Sequence, residues 1–177
     1  SIAFNPLRKA LRHGTPLCDS VVSKAVALIE AVKDIPAIRV IDVDSAMFCN
    51  AGAFIYEELG YALAWGAQWM TALTEAGVSV DEAARRIKFD MGVSSNFFME
   101  IAKFRAGRML WADIIKQYKP ADEAAAKMMV HASTSRYNQT IFDAHVNLLR
   151  SQTETMSAAV AGVDSITVTP FDAPYKK

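Results

Sequence analysis

Apolar residues recur along this chain with two different periods. From 20 to 33 they fall at Val21, Val22, Ala25, Leu28, Ile29 and Val32, three or four apart. That spacing predicts a helix, which Pro36 ends. Residues 39–44 are instead β-branched, with Val40, Ile41 and Val43, and predict a strand of the kind buried in a parallel sheet. Asn50 stands where it can cap a long helix over 51–76, with Ile55, Leu59, Leu63, Met70 and Leu73 along one side and Gly77 as its stop. Ser79 and Glu82 have capping-box spacing ahead of a short helix, and residues 87–91 predict the next strand.

A second long helix is predicted from Ser94 or Ser95 to Tyr118, short of Pro120. It carries the run Asn96-Phe-Phe-Met-Glu-Ile-Ala-Lys-Phe-Arg-Ala-Gly-Arg-Met-Leu-Trp-Ala112. Another strand is predicted over 127–132. Val146, Leu149, Thr153, Met156, Val160 and Val163 then alternate steps of three and four, the seam of a helix packed on a sheet. The last predicted strand, 165–169, is closed off by Pro170. Strands alternating with helices in this way imply an α/β fold, a parallel sheet or barrel, between which the period does not choose.

Composition narrows the picture. At 177 residues, 52% hydrophobic and 21% charged, residues 1–177 suit one compact domain, with apolar runs too interrupted for membrane spans. Nineteen basic and nineteen acidic residues cancel, so no long-range attraction for nucleic acid or an anionic membrane is expected. Cys18 and Cys49 lack ligand spacing and fit free thiols of a reducing cytoplasm. The start, Ser1-Ile-Ala-Phe, has no secretory pattern, and an opening without Met inside an apparent strand reads as part of a longer protein. Three scattered histidines predict no metal site, and Gly60, Gly66 and Gly77 form no phosphate loop. Lys103, Arg105 and Arg108 are expected on a solvated helix face.

The run 96–112, together with Ala51-Gly52, Thr134-Ser135, Arg150 and Gly162-Val163-Asp164-Ser165, resembles the substrate barrel of the adenosylcobalamin-dependent methylmalonyl-CoA mutases over essentially the whole chain. The resemblance implies a (β/α)8 TIM-type barrel with a thioester substrate along its axis. It places this chain on about five parallel strands, the fourth at 1–4 through the eighth at 165–169, without the cobalamin-binding domain. Five strands alone leave two open edges, which implies pairing with another chain, a homodimer included.

In such a barrel the chemistry sits at the carboxyl ends of the strands, here 46–50, 92–96, 131–136 and 169–173. His131 is the only imidazole among them, and it matches a strand-end histidine of the family's substrate channel; the other reading is a core histidine satisfied by backbone. Ser133, Thr134 and Ser135 offer small hydroxyls suited to a pantetheine arm, or form an ordinary polar loop. Asp143-Ala-His145 is like the cobalt-binding Asp-x-His-x-x-Gly of the cobalamin domain, but Leu148 replaces the glycine and the segment opens a helix, so helix capping is expected instead.

Several positions depart from the catalytic pattern. Ala46-Met47 stands where the mutases carry a Tyr-His pair, and a thioether cannot donate a hydrogen bond to a thioester carbonyl. Ala3 and His13 replace a substrate glutamine and an arginine, and Asn50 replaces a glutamic acid. Ser133 replaces a glutamine, Arg136 a glycine that lets the corrin approach, and Thr169 and Ala173 an asparagine and a glutamate. By position, Met47, His131, Ser133, Ser135 and Thr169 are the substrate-channel candidates, with no catalytic and no cofactor-binding residue among them. The chain is thus most similar to the non-catalytic small subunit of heterodimeric bacterial mutases, whose catalytic large subunit works with adenosylcobalamin. Two alternatives stay open: a mutase for a different acyl-CoA, with Met47 and Ala46 making room, and a CoA-binding module.

Overall fold

The computed structural model describes residues 2–14 and 20–175, so Cys18 and the first residue of the expected opening strand, Ser1, lie outside the described residues. The chain runs α1 (Pro6–His13), α2 (Ser20–Ala31), β1 (Ile41–Asp44), α3 (Ala46–Asn50), α4 (Ile55–Glu75), α5 (Val80–Arg86) and β2 (Ile87–Val93). It continues with α6 (Phe97–Gln117), a 3-10 turn (Glu123–Ala126), β3 (Val130–Thr134), α7 (Ala144–Ala161), β4 (Ser165–Thr167) and a last 3-10 turn (Ala173–Tyr175). The four strands form one parallel sheet in the order β1-β2-β3-β4, with helices in every crossover. This is the α/β architecture the alternation implied, consistent with part of a βα barrel. The expected opening strand is reduced to a single parallel bridge, Phe4 to Ile41.

Register divides the sheet into two unlike faces. Ile41, Val43, Ile87, Phe89, Met91, Val93, Val130 and Ala132 are all buried on the side covered by the helices. The residues between them, Asp42, Asp44, Lys88, Asp90, His131, Ser133, Ser165 and Thr167, make the opposite face polar. The strand expected to be of the buried kind, β1, is buried at all four residues although its side chains alternate apolar and acidic, and the polar face is the one available for chemistry.

The apolar side is filled by large rings. Phe89 meets Trp111 edge-to-face with centroids 4.7 Å apart. Gly66 lets α4 come down onto this pair, since a Cβ there would stand 2.7 Å from Phe89 and 2.8 Å from Trp111. α4 does not start at Asn50, as expected, but at Ile55 with Phe54 as cap, where Glu57 accepts a hydrogen bond from the Phe54 N–H at 2.7 Å. Asn50 closes the short α3 and uses its side chain elsewhere, accepting from the Arg136 N–H at 2.8 Å. Gly77, at φ +89°, follows the end of α4, and Ser79 caps α5, as expected. β3 begins three residues later than expected, at Val130, and α6 begins at Phe97 with Asn96 as cap.

Two expectations about helix faces are overturned. Lys103 is not on a solvated face; it is fully buried, because Glu58 of α4 and Glu100 one turn earlier both reach its ammonium at 2.6 Å. On α7 the seam expected to pack on the sheet points outward, with Leu149 62%, Met156 56% and Val160 50% exposed. The stripe that faces inward is polar: Asn147, Ser151, Glu154 and Ser157, followed by Ala158 and Ala161. The physical reason is that these polar side chains have partners in the loops beyond the strand ends, so burying them leaves few groups unsatisfied.

Candidate functional site

A cleft of about 510 Å³ opens at the carboxyl end of the sheet. Its floor is the polar face, where Asp44 of β1 lies in register with Asp90 of β2, and Ser133 of β3, in register with Thr167 of β4, stands two residues further along the strands. Its walls are Met47 and Asn50 of α3, Arg8 and Arg12 of α1, Thr134 and Arg136 after β3, and Thr169 after β4. α1 is held there by Asn5, which accepts the Arg8 N–H at 2.9 Å, and by the ion pair of Arg8 with Asp44.

Most of the cleft's acid–base groups are already engaged. Burial pushes the Asp44 carboxyl up to about 6, with Arg8 pulling the other way and Asp90 and Asp42 adding to the rise. Asp90 is also raised, first by burial, while His131 opposes the shift; Ser133 donates to it at 3.2 Å. Met47 contributes a thioether with no donor. Arg12 and Arg136 bring positive charge to the mouth.

The sequence-based candidates do not all meet here. Met47, Ser133 and Thr169 line the cleft, and the Thr169 N–H is fixed by the Thr134 hydroxyl at 2.8 Å. Ser135 does not line it: the residue is buried, its N–H shared between Val93 O and Glu154, and its hydroxyl accepts from the Tyr137 N–H at 3.1 Å. His131 is second in its strand rather than at the end. It shares the polar face but occupies a separate recess with Arg39, Lys88, Asp90 and Ser165, its ring nitrogens 2.7 Å from the Ser165 hydroxyl and 3.0 Å from that of Thr167. So His131 has side-chain hydroxyls as partners, not the backbone.

The acidic floor, Asp44 and Asp90, was missed from sequence. The signal was present in the strict alternation of Ile41-Asp-Val-Asp44 and Ile87-Lys-Phe-Asp90, which marks a strand with one polar face.

Behind the cleft, the end of β2 is locked by the buried charge cluster. Lys103 donates to Gly92 O at 2.6 Å, and Glu58 accepts the Gly92 N–H at 2.6 Å. Glu100 accepts the Ser94 N–H at 2.8 Å. Burial disfavours the Lys103 charge, but Glu58 and Glu100 outweigh it and its pKa is raised. Burial also raises Glu58, against Lys103 and the Gly92 N–H. Cys49 packs against Gly92, and burial with Glu58 nearby pushes its thiol up to about 12, an inert thiol.

Cobalt ligation at Asp143 and His145 does not fit this structure. The Asp143 carboxylate caps α7 by accepting the His145 and Val146 N–H groups, and His145 lies exposed on the first turn. Among the described residues no three His, Cys, Asp or Glu side chains are grouped to hold a metal ion, and no helix is long and apolar enough to cross a membrane.

Comparison with known proteins bears on this cleft. The sequence profile of a family described as methylmalonyl-CoA mutase matches residues 15–177. A methylmalonyl-CoA mutase small subunit from Porphyromonas gingivalis is 52% identical over 178 residues, covering 100% of this chain and 29% of that protein. The mitochondrial methylmalonyl-CoA mutase of Homo sapiens is 36% identical over 79% of this chain and 19% of its own length, and a methylmalonyl-CoA mutase of Rhizobium meliloti is 34% identical over 79% of this chain and 20% of its own length. The chain thus spans less than a third of these relatives' length. The chain belongs to the methylmalonyl-CoA mutase family.

Proposed function

From that membership, we propose that this chain is part of the small subunit of a methylmalonyl-CoA mutase and supports a catalytic large subunit without itself performing chemistry. The partner interconverts methylmalonyl-CoA and succinyl-CoA by a radical route that begins with adenosylcobalamin. In this reading β1 to β4 are the fifth to eighth strands of the barrel, the Phe4 bridge is a remnant of the fourth, and the complex is cytoplasmic. No cofactor is assigned to this chain's own residues.

One observation carries the reading: the cleft at the strand ends presents Met47, with its carboxylates drawn off by Arg8 and Ser133 and no imidazole among its lining residues. A thioester carbonyl placed there would find no imidazole, and the two lining carboxyls that burial raises, Asp44 and Asp90, are already engaged by Arg8 and Ser133. Similarity along the full chain to a protein named as a small subunit supports the same conclusion. What the fold supplies instead is packed surface, and its open sheet edges would be covered by the rest of the barrel or, in this chain alone, by a second copy.

The test is reconstitution. The full-length small subunit, mixed with the large subunit, adenosylcobalamin and methylmalonyl-CoA, should form a stable heterodimer and give turnover that the small subunit alone does not. Turnover by the small subunit alone, or failure of the two to associate, overturns the proposal.

A further inference from the structure

The polar stripe of α7 is built to hold the rim of the cleft. Asn147 accepts the Thr140 N–H at 2.9 Å and donates to Thr140 O at 2.7 Å and Phe171 O at 3.2 Å. Glu154, one per cent exposed, accepts the Ser135 N–H at 3.1 Å and the Asn138 side-chain amide at 2.6 Å. Both ends of the segment 135–140, which supplies Arg136 to the cleft, are therefore fastened to one helix.

Among the described residues, Glu154 differs from the other buried carboxylates in having only neutral donors in contact. The charged groups that face it are few. From α6 comes Glu100, a like charge already paired with Lys103. From α7 itself comes Arg150, whose guanidinium donates to Asn147 at 3.2 Å. Cys49 of α3 reaches Ser135 with a thiol that stays protonated. β2 and β3 turn Lys88, Asp90 and His131 to the opposite face of the sheet. The Asn138 and Ser135 donors favour the ionised form, but burial with no cation in contact outweighs them, and that cost is relieved either by keeping the proton or by letting water in.

We propose that Glu154 is a proton-dependent latch on the cleft: protonated, it holds segment 135–140 against α7, and on losing its proton to water it lets that segment lift and opens the side of the cleft bearing Arg136. The segment is the part that yields, because α7 is packed along α6 and the sheet. The inference does not depend on whether the cleft is catalytic.

The direction of the pH effect follows from linkage. In the closed state burial raises the Glu154 carboxyl from its ordinary value to about 7, whereas in the open, hydrated state it returns to the usual carboxylate range. The closed state therefore binds the proton more tightly, and closure is strongest below pH 4.5, weakens from there to about pH 7, and changes no further above it.

Amide hydrogen exchange on the full chain, read by mass spectrometry over peptides covering 135–140, tests this. After correction for intrinsic rates, protection should fall by at least about tenfold between pH 5 and pH 7 and then level off. Peptides around Lys103 in the same sample should show no such change. In Glu154→Gln the pH dependence of segment 135–140 should vanish. Asn138→Ala, which keeps the carboxyl and removes one clasp, should raise exchange of the segment at every pH. Flat protection in the unaltered chain, a slope that survives Glu154→Gln, or no rise in Asn138→Ala overturns the latch.

Discussion

Two buried acidic sites lie behind the strand ends and meet burial in different ways. Between α4 and α6, Glu58 and Glu100 share the Lys103 ammonium, and the three side chains tie down Gly92 and Ser94 at the end of β2. Under α7, Glu154 has a backbone N–H and a carboxamide. The first site carries its own counter-ion and acts as a fixed brace. The second depends on a proton. Equal depth thus says little about what a carboxylate does; the charge of its partners decides whether it is rigid or responsive.

The largest effect should come from breaking the brace. Lys103→Met leaves two carboxylates buried without a cation and should cost about 3–5 kcal/mol of stability, read from urea unfolding. Adding Glu58→Gln and Glu100→Gln should recover much of that loss, because the charges that lacked a partner are gone. If the single substitution costs under about 1 kcal/mol, the ion cluster is not what holds β2, and the contrast fails.

A middle-sized effect is expected on the α7 side. Asn147→Ala removes three half-buried hydrogen bonds to the backbone of Thr140 and Phe171, which should cost about 1–3 kcal/mol. The smallest belongs to the exposed seam of the same helix. Met156→Gln should change stability by no more than about 0.5 kcal/mol in this chain, whereas a methionine packed on the sheet would cost about 2–5 kcal/mol when cut back. A large loss at Met156 would mean that α7 packs by its apolar stripe after all.

α7 also shows where sequence reading stopped. Its presence and its Asp143 cap were legible, because capping is a local requirement, but its end was not: the seam was carried on to Val163, past the left-handed Gly162 at φ +74° that closes the helix. Nor was the side that faced inward. Steps of three and four at Leu149, Thr153, Met156 and Val160 identify a helix with an apolar stripe, but a stripe names no partner. Lys103 failed in the same way: a lysine in a helix is solvated by default, and the two carboxylates that bury it include one from a different helix, 45 residues away. For the cleft, Met47, Ser133 and Thr169 were found by position in a βα fold, while Asp44 and Asp90 were passed over although their alternation was in plain view.

The sequence by itself determined the order of the four sheet strands and of the helices between them other than the short α1 and α3, most of their boundaries to within a few residues, and the family to which they belong. These follow from period, capping and turn residues, all of which act between near neighbours. Only the tertiary structure decided which stripe of α7 is buried, that Lys103 is internal, and that His131 and Ser135 stand apart from the cleft. Burial of apolar surface is non-directional and tolerates many arrangements, whereas a buried polar group requires one particular partner at hydrogen-bond distance. For Asn147, Glu154 and Lys103 those partners sit on other elements of the chain, so their places were fixed only when the chain had folded.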